Sequence, residues 1–295
     1  FYTLFSGKNL GEIAHALTKM SFWHLLLAAA LALFFVCAEG YMIWYLLQAM
    51  KANRVKTEGC SLGRCVQYSS IGFFYSGITP SATGGQPVQL YYMSKDGNRG
   101  SDSTVVLMTV AVVYKFVLVI LGAGILICWH SPLQMELGKF FPLYLFGLFL
   151  NVILVVIITG VMLFPNIMLR CALFFEKLLV RMRILKRSDQ RAGKIHEFIG
   201  SYQKAVEWLR MHKGKLLFVI FVTFLQRCSV FLLTYMVYLG FGLHGTAMMK
   251  VILLQAAVYI AVDMLPLPGA QGITELMYQT VFAHVFTGAY LIPSM

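Results

Sequence analysis

Five ionisable side chains sit inside apolar runs of this sequence: Glu39, Lys115, Arg227, Asp263 and Glu275. A charge at the centre of a hydrocarbon layer costs about 2.5–3.5 kcal/mol on insertion scales, so each of them asks for a partner or a ligand. Their signs are mixed. A phosphate would be met by Lys115, Arg227 or the backbone N–H groups of a glycine-rich helix end, and an ammonium by Glu39, Asp263 or Glu275. Such a set suits a headgroup that carries both charges, with Glu275 and Asp263 taking the cationic part and Arg227 and the Gly84-Gly85 region taking the phosphate. Structural roles compete with that reading. Glu275 lies three residues after Gly272, where it can complete a helix N-terminus. Lys115 and Arg227 can pair with the acids, and Glu39, near the end of its run, can reach the interface.

Two broken segments frame these residues. One reads ITPSATGGQPVQLYYM over 78–93 and the other LPLPGAQGITELMY over 265–278. Each has proline, then small glycine-rich residues, then a helix start carrying Gln or Glu. Proline and glycine in succession cannot continue a straight helix. Paired interruptions in corresponding places of two halves point to a transporter's binding site, because half-helix ends aim partial charges into the membrane. Gly84, Gly85, Gln86, Gly269 and Gly272 therefore join the candidate binding residues, with Gln89 as a further polar liner. Packing kinks are the alternative.

The elements that must position these groups are membrane spans. Hydrophobic residues make up 59% of 295 and charged residues only 12%, and a soluble core of this size does not hide so much apolar surface. Apolar runs at about 21–48, 103–128, 140–164 and 216–241 are each long enough to cross a bilayer, which takes about 20 residues. A last apolar stretch, 248–292, is interrupted within 262–278. The expectation is one all-α polytopic membrane domain over 1–295, with about six spanning segments plus a re-entrant element. Residues 1–20 are expected to form an amphipathic interfacial helix, since Leu10, Ile13, Leu17 and Met20 share a face. The start at Phe1, and a count of crossings that puts 1–20 on the outer side, fit a span upstream of it.

Charge orients the chain. Lys and Arg exceed Asp and Glu by 12, and 12 basic against four acidic residues fall within 165–215. In a membrane protein that excess sets topology and meets anionic headgroups rather than nucleic acid. Ile195, Phe198, Ile199, Tyr202, Val206 and Leu209 give 165–215 amphipathic helices on the cytoplasmic surface. With that block inside, counting backwards puts 129–139 outside and 94–102 inside. The basic segment 51–64 also belongs inside, which holds only if 65–93 enters and leaves on one side. Arg64, Lys95 and Arg99 read as topology charges.

Chemistry of other kinds is poorly supported. The sequence has no P-loop, and its seven histidines and six cysteines show no metal or disulfide spacing. No cofactor and no metal is expected, and with no nucleotide site any transport would be scrambling or ion-coupled.

The sequence resembles the transmembrane region of lysylphosphatidylglycerol synthases, the flippase-like family that includes the multiple peptide resistance factor. Thr79-Pro80 with Gly84-Gly85-x-Pro87, Pro266-x-Pro268-Gly269 with Gly272-x-x-Glu275, and the basic Lys115 and Arg227 within spans carry the likeness over about residues 10–292. Ala270-Gln271 departs from it, where the family more often has glycine and then an apolar residue. The resemblance implies translocation of an aminoacylated phospholipid such as lysyl-phosphatidylglycerol in a bacterial cytoplasmic membrane, a role tied to antimicrobial peptide resistance. The alternative it carries is the membrane part of a phosphatidylglycerol lysyltransferase that catalyses only with a separate cytosolic aminoacyltransferase domain. That domain does not follow before Met295, so catalysis by this chain alone is not expected. A homodimer is compatible with the family, though no interface is legible.

Overall fold

The computed structural model describes residues 18, 20–51, 60–80, 82–164, 170, 174, 189–265, 267, 270–286, 288 and 290–295. Regular structure among them is helical throughout. Three long apolar helices are α1 (Phe22–Lys51), α4 (Gly100–Cys128) and α8 (Lys213–Gly240). A fourth apolar stretch, His130–Leu163, comprises α5 (His130–Leu137), a 3-10 turn over Gly138–Phe140, and α6 (Phe141–Leu163). These four are long and apolar enough to cross a membrane, and their outward faces carry exposed Trp23, Leu33, Ile127, Phe149, Val156 and Leu217. Apolar side chains in such numbers on the outside are stable against lipid and not against water. The molecule is an all-α polytopic membrane protein. The interfacial helix expected over 1–20 and the basic block over 165–188 lie almost wholly outside the described residues.

Two helical hairpins complete the fold. The first is α2 (Leu62–Ile78) and α3 (Gly85–Lys95), and the second is α9 (Met248–Val262) and α10 (Ile273–Val281). Ser61 caps α2 by accepting from the Arg64 N–H at 3.3 Å. Pro80 ends it, having no N–H to donate and forcing Thr79 into an extended conformation, φ −111° and ψ 146°. Thr79 then closes the corner: its hydroxyl donates to Tyr75 O at 2.7 Å and accepts from the Gly84 N–H at 2.9 Å. The two arms touch closely. A Cβ on Gly72 would lie 2.1 Å from Gln89 Nε2, and one on Gly85 would lie 2.6 Å from Gly72 O. The ends of this hairpin meet, because Arg64 Nε pairs with Asp96 Oδ2 at 2.6 Å. Segment 65–93, which sequence patterning sets apart as broken, is thus a hairpin that leaves from the end at which it arrives.

The second hairpin is built on the same plan from the opposite end. Sequence Pro80-Ser-Ala-Thr-Gly84 at the first corner is matched by Pro268-Gly-Ala-Gln-Gly272 at the second. In each, the alanine is left-handed: Ala82 has φ 54° and Ala270 φ 52°. These are the positive-φ residues other than glycine among those described, and the conformation costs an L-residue about 1–2 kcal/mol. The ends of the second hairpin are also fastened together. Glu136 on α5 takes Lys250 of α9 at 2.5 Å and His284, beyond α10, at 2.6 Å.

Each hairpin follows a long helix, and the two long helices run antiparallel. The Ser21 N–H donates to Gly240 O at 2.9 Å, Gln226 Nε2 to Phe35 O at 2.7 Å, and Tyr45 and Phe218 lie 4.9 Å apart. Helix plus hairpin is therefore repeated with inverted direction. Two apolar cores lie at the two ends. One gathers Met42 to Met50 of α1, Tyr68, Met93, Val105 to Val117 of α4 and the buried stripe of α7 (Asp189–Met211). The other gathers Leu118 to Ile125 of α4, Tyr144, Phe231 to Phe241 of α8, and α9 with α10. The stripe expected on the basic block is present on α7, where Ile199, Tyr202, Val206 and Leu209 are buried. It packs on α4, so this face belongs to the protein interior. The side chain of Ile195 lies outside those described.

Two outcomes test this packing. Gly147 lets α6 approach α9 closely, a Cβ there lying 2.5 Å from Ile260 O. Gly147→Val is expected to destabilise by about 1–3 kcal/mol, read as a lowered melting temperature in detergent. At the first hairpin's neck, hydrogen bonds from Arg64 and then Tyr68 hold the Asp96 carboxyl at about 2, below its ordinary 3.8. A depressed acid stabilises above its unfolded value, and that stabilisation is lost as pH falls through the folded one. Wild type should therefore lose a small increment of melting temperature between pH 4 and 2 that Asp96→Asn lacks. The increment is small because water screens this partly exposed pair.

Candidate functional site

Between the two cores, at the level where the hairpin tips converge, lies a cavity of about 620 Å³. Glu39 comes to it from α1, Lys115 from α4, Arg227 from α8, and Asp263 from the residue after α9. Lys115 and Arg227 stand near the middle of their helices, about 20 Å from either end at 1.5 Å per residue. The first hairpin delivers Ala82, Thr83, Gln86 and Gln89, and α6 closes one side with apolar Leu150, Ile153, Leu154 and Ile158.

The two basic groups are held differently. Lys115 Nζ pairs with Asp263 Oδ2 at 2.5 Å, and both side chains are at least nine-tenths buried. Asp263 Oδ1 also accepts from the Tyr114 hydroxyl at 2.5 Å. Tyr114 lies 3.0 Å from the Tyr259 hydroxyl, which accepts from Arg227 Nη1 at 3.3 Å. One polar chain thus joins α4, α8 and α9 at mid-depth. Its five members are all charged or phenolic and bond to one another in sequence, as groups buried away from water must.

Arg227 has no carboxylate within ion-pair distance among the described residues. Its guanidinium instead packs against two rings, 4.5 Å from that of Phe35 and 4.4 Å from that of Tyr114. Desolvated cation–π contacts of this kind are worth about 2 kcal/mol. The N–H groups of a guanidinium lie in its plane, along its edge. On that edge Nε–H is buried with no acceptor, although Arg227 is 3% exposed and lines the cavity. A buried unmet donor costs about 1–3 kcal/mol and more when charged. The arrangement can take an anionic oxygen.

Glu39 keeps part of its surface open to the cavity and accepts from Gln89 Nε2 at 3.0 Å. It stands at nearly the same distance from the end of α1 as Arg227 from the end of α8. The inverted repeat thus sets an acid and a base at corresponding places.

The structure gathers four of the five charges in apolar runs, Glu39, Lys115, Arg227 and Asp263, around one space together with Gln86. Gly84 and Gly85 form the corner beside it, where Gly85 is buried and Gly84 donates its N–H to Thr79. Glu275 and Gly272 are not brought to the cavity. Glu275 Oε2 accepts from the Gly272 N–H at 2.5 Å, the helix-completing role that its spacing also allowed. Gly269 lies outside the described residues. Sequence reasoning missed Tyr114, Tyr259, Phe35 and Gln226, whose aromatic or neutral character reads as core material. A signal was present at one of them: Tyr259 precedes Asp263 by four residues and so shares its helix face.

Removing the Glu275 cap should cost about 1 kcal/mol. Glu275→Ala is expected to lower the melting temperature, while Glu275→Gln, which keeps a carbonyl acceptor, retains most of it.

Residues 1–295 match the family described as the lysylphosphatidylglycerol synthase TM region. No curated protein and no solved structure matches the chain at a significant level. The match extends over the mid-membrane charges, the two broken corners and the antiparallel helices that bring them together, and on this ground the chain belongs to the lysylphosphatidylglycerol synthase transmembrane family.

Proposed function

We propose that the cavity is the passage for a phospholipid headgroup and that the protein moves an aminoacylated phospholipid, such as lysyl-phosphatidylglycerol, between leaflets. The observation that carries this reading is Arg227: a desolvated guanidinium, packed against two aromatic rings and with one N–H unmet, in the wall of a cavity at mid-depth. That edge meets the phosphate, which is common to every such lipid. The carboxylate side of the cavity, with Glu39, receives the cationic part. The space is within the roughly 300–1,000 Å³ of small-ligand sites. The apolar wall on α6 suits acyl chains that stay in the bilayer while the headgroup crosses.

Both hairpins are read as re-entrant, one from each face of the membrane, with tips that meet at the passage. Non-helical backbone at that depth is tolerated because protein and cavity cover it. Arg64, Lys95, Arg99, Lys213 and Lys215 flank the helices of the first core, which supports reading that end as the cytosolic one in a bacterial cytoplasmic membrane.

The test is movement of fluorescent lysyl-phosphatidylglycerol and phosphatidylglycerol in proteoliposomes of the purified chain. Wild type should move the first faster than protein-free vesicles. Arg227→Leu, at equal insertion and melting temperature, should slow it about tenfold or more, since a charge-assisted hydrogen bond is worth about 1.5–3 kcal/mol. Arg227→Lys should keep part of the rate. Lysine transfer from Lys-tRNA by the same preparation, without lipid movement, would favour the synthase reading instead.

A further inference from the structure

The two carboxylates of the cavity are not equivalent. Asp263 is neutralised by Lys115 and held by Tyr114. Glu39 has, among the described residues, a single hydrogen bond from Gln89 and no cation within ion-pair distance. The ionisable groups that share the cavity with it are Arg227 from α8, Tyr114 and Lys115 from α4, and Tyr259 and Asp263 from α9 and its end. Lys115 is committed to Asp263, and Arg227 is packed against two rings and bonded to Tyr259. The first hairpin offers only neutral side chains there, such as Ser76, Gln86 and Gln89, and α6 only apolar ones.

A carboxylate at mid-depth without a cation is costly by several kcal/mol, and either a bound cation or a proton removes that cost. Its partner serves both states. A Gln amide donates to a carboxylate through Nε2 and, turned over, accepts from a carboxylic acid through Oε1. Gln89 is also 3% exposed and pressed against Gly72, so it holds the hairpin arm α3 to α1 through Glu39.

We propose that Glu39 binds a proton in alternation with the cationic part of the headgroup, so that lipid moving one way is exchanged for a proton moving the other. The carboxylate takes up one proton when the ammonium leaves and gives it up before the next ammonium binds. Only the carboxyl O–H bond is made and broken. This assignment rests on the reading of the cavity as a headgroup passage.

Proteoliposomes held at zero membrane potential with potassium and valinomycin, carrying fluorescent lysyl-phosphatidylglycerol, are given a pH difference of one unit in either direction. The wild type should build a leaflet ratio of up to about tenfold, the limit for one proton per lipid, and the ratio should invert with the gradient. Glu39→Asp should keep this response. Glu39→Gln should lose it, whether or not lipid still equilibrates. Wild-type movement to the same distribution under every gradient overturns the proton exchange and leaves the passage standing. No movement at all overturns both. A Glu39→Gln response equal to wild type overturns the assignment to Glu39. If Glu39→Gln moves no lipid, dicyclohexylcarbodiimide labelling of wild type decides, since this reagent modifies protonated carboxyls in apolar surroundings. Labelling at Glu39 that fades with rising pH supports the proposal, and an unreactive Glu39 at every pH overturns it.

Discussion

The pairing of Lys115 with Asp263 is the contact on which the middle of the molecule depends. It ties α4 to the end of α9 where the surrounding medium offers neither partner a substitute, and breaking it would leave a lone charge at a cost of about 3–5 kcal/mol. From that pair the polar chain extends through Tyr114 and Tyr259 to Arg227 on α8. Three helices are thereby fixed at one level by groups that satisfy one another. Above and below, apolar cores carry the packing and need no such specificity. The cavity exists because the polar level is not filled: Arg227 and Glu39 sit on its wall with bonding capacity left over.

The inverted repeat explains why acid and base from distant parts of the chain meet. Two antiparallel helices bring their polar positions to the same depth, and each is followed by a hairpin reaching that depth from its own side. The corners share a proline, an alanine with positive φ and a glycine. Glycine would relieve the strain at Ala82 and Ala270, so the alanines hold their corners at a cost the surrounding structure offsets.

Much of this was legible in the sequence because lipid enforces simple rules. Apolar runs gave the long helices to within a few residues, as with α6, found at Phe141–Leu163 against an expected 140–164. The interruption at Pro80 marked a hairpin because proline removes a donor no matter what surrounds it. Charges in apolar runs pointed to Glu39, Lys115, Arg227 and Asp263 because burial of charge demands a reason. What stayed hidden depends on three-dimensional meeting. The packing of Arg227 against Phe35 and Tyr114 joins residues from three helices, and an aromatic side chain looks alike whether it faces lipid, core or guanidinium. Glu275 shows the converse limit, since a carboxylate near a glycine reads equally as ligand or cap until its oxygen is seen to take the Gly272 N–H.

The antiparallel contact of α1 with α8 also bears on how the protein is made. Glu39 and the first hairpin leave the ribosome long before Arg227, which follows on the order of ten to forty seconds later at about 5–20 residues per second. During that interval α1 has no α8 to cover its polar face, and Gln226 is not yet present to donate to Phe35 O. The nascent helix must wait beside the translocation machinery or in lipid with its acid neutral. Biogenesis of this chain is thus a late closure, in which the second half receives a first half that was inserted unfinished.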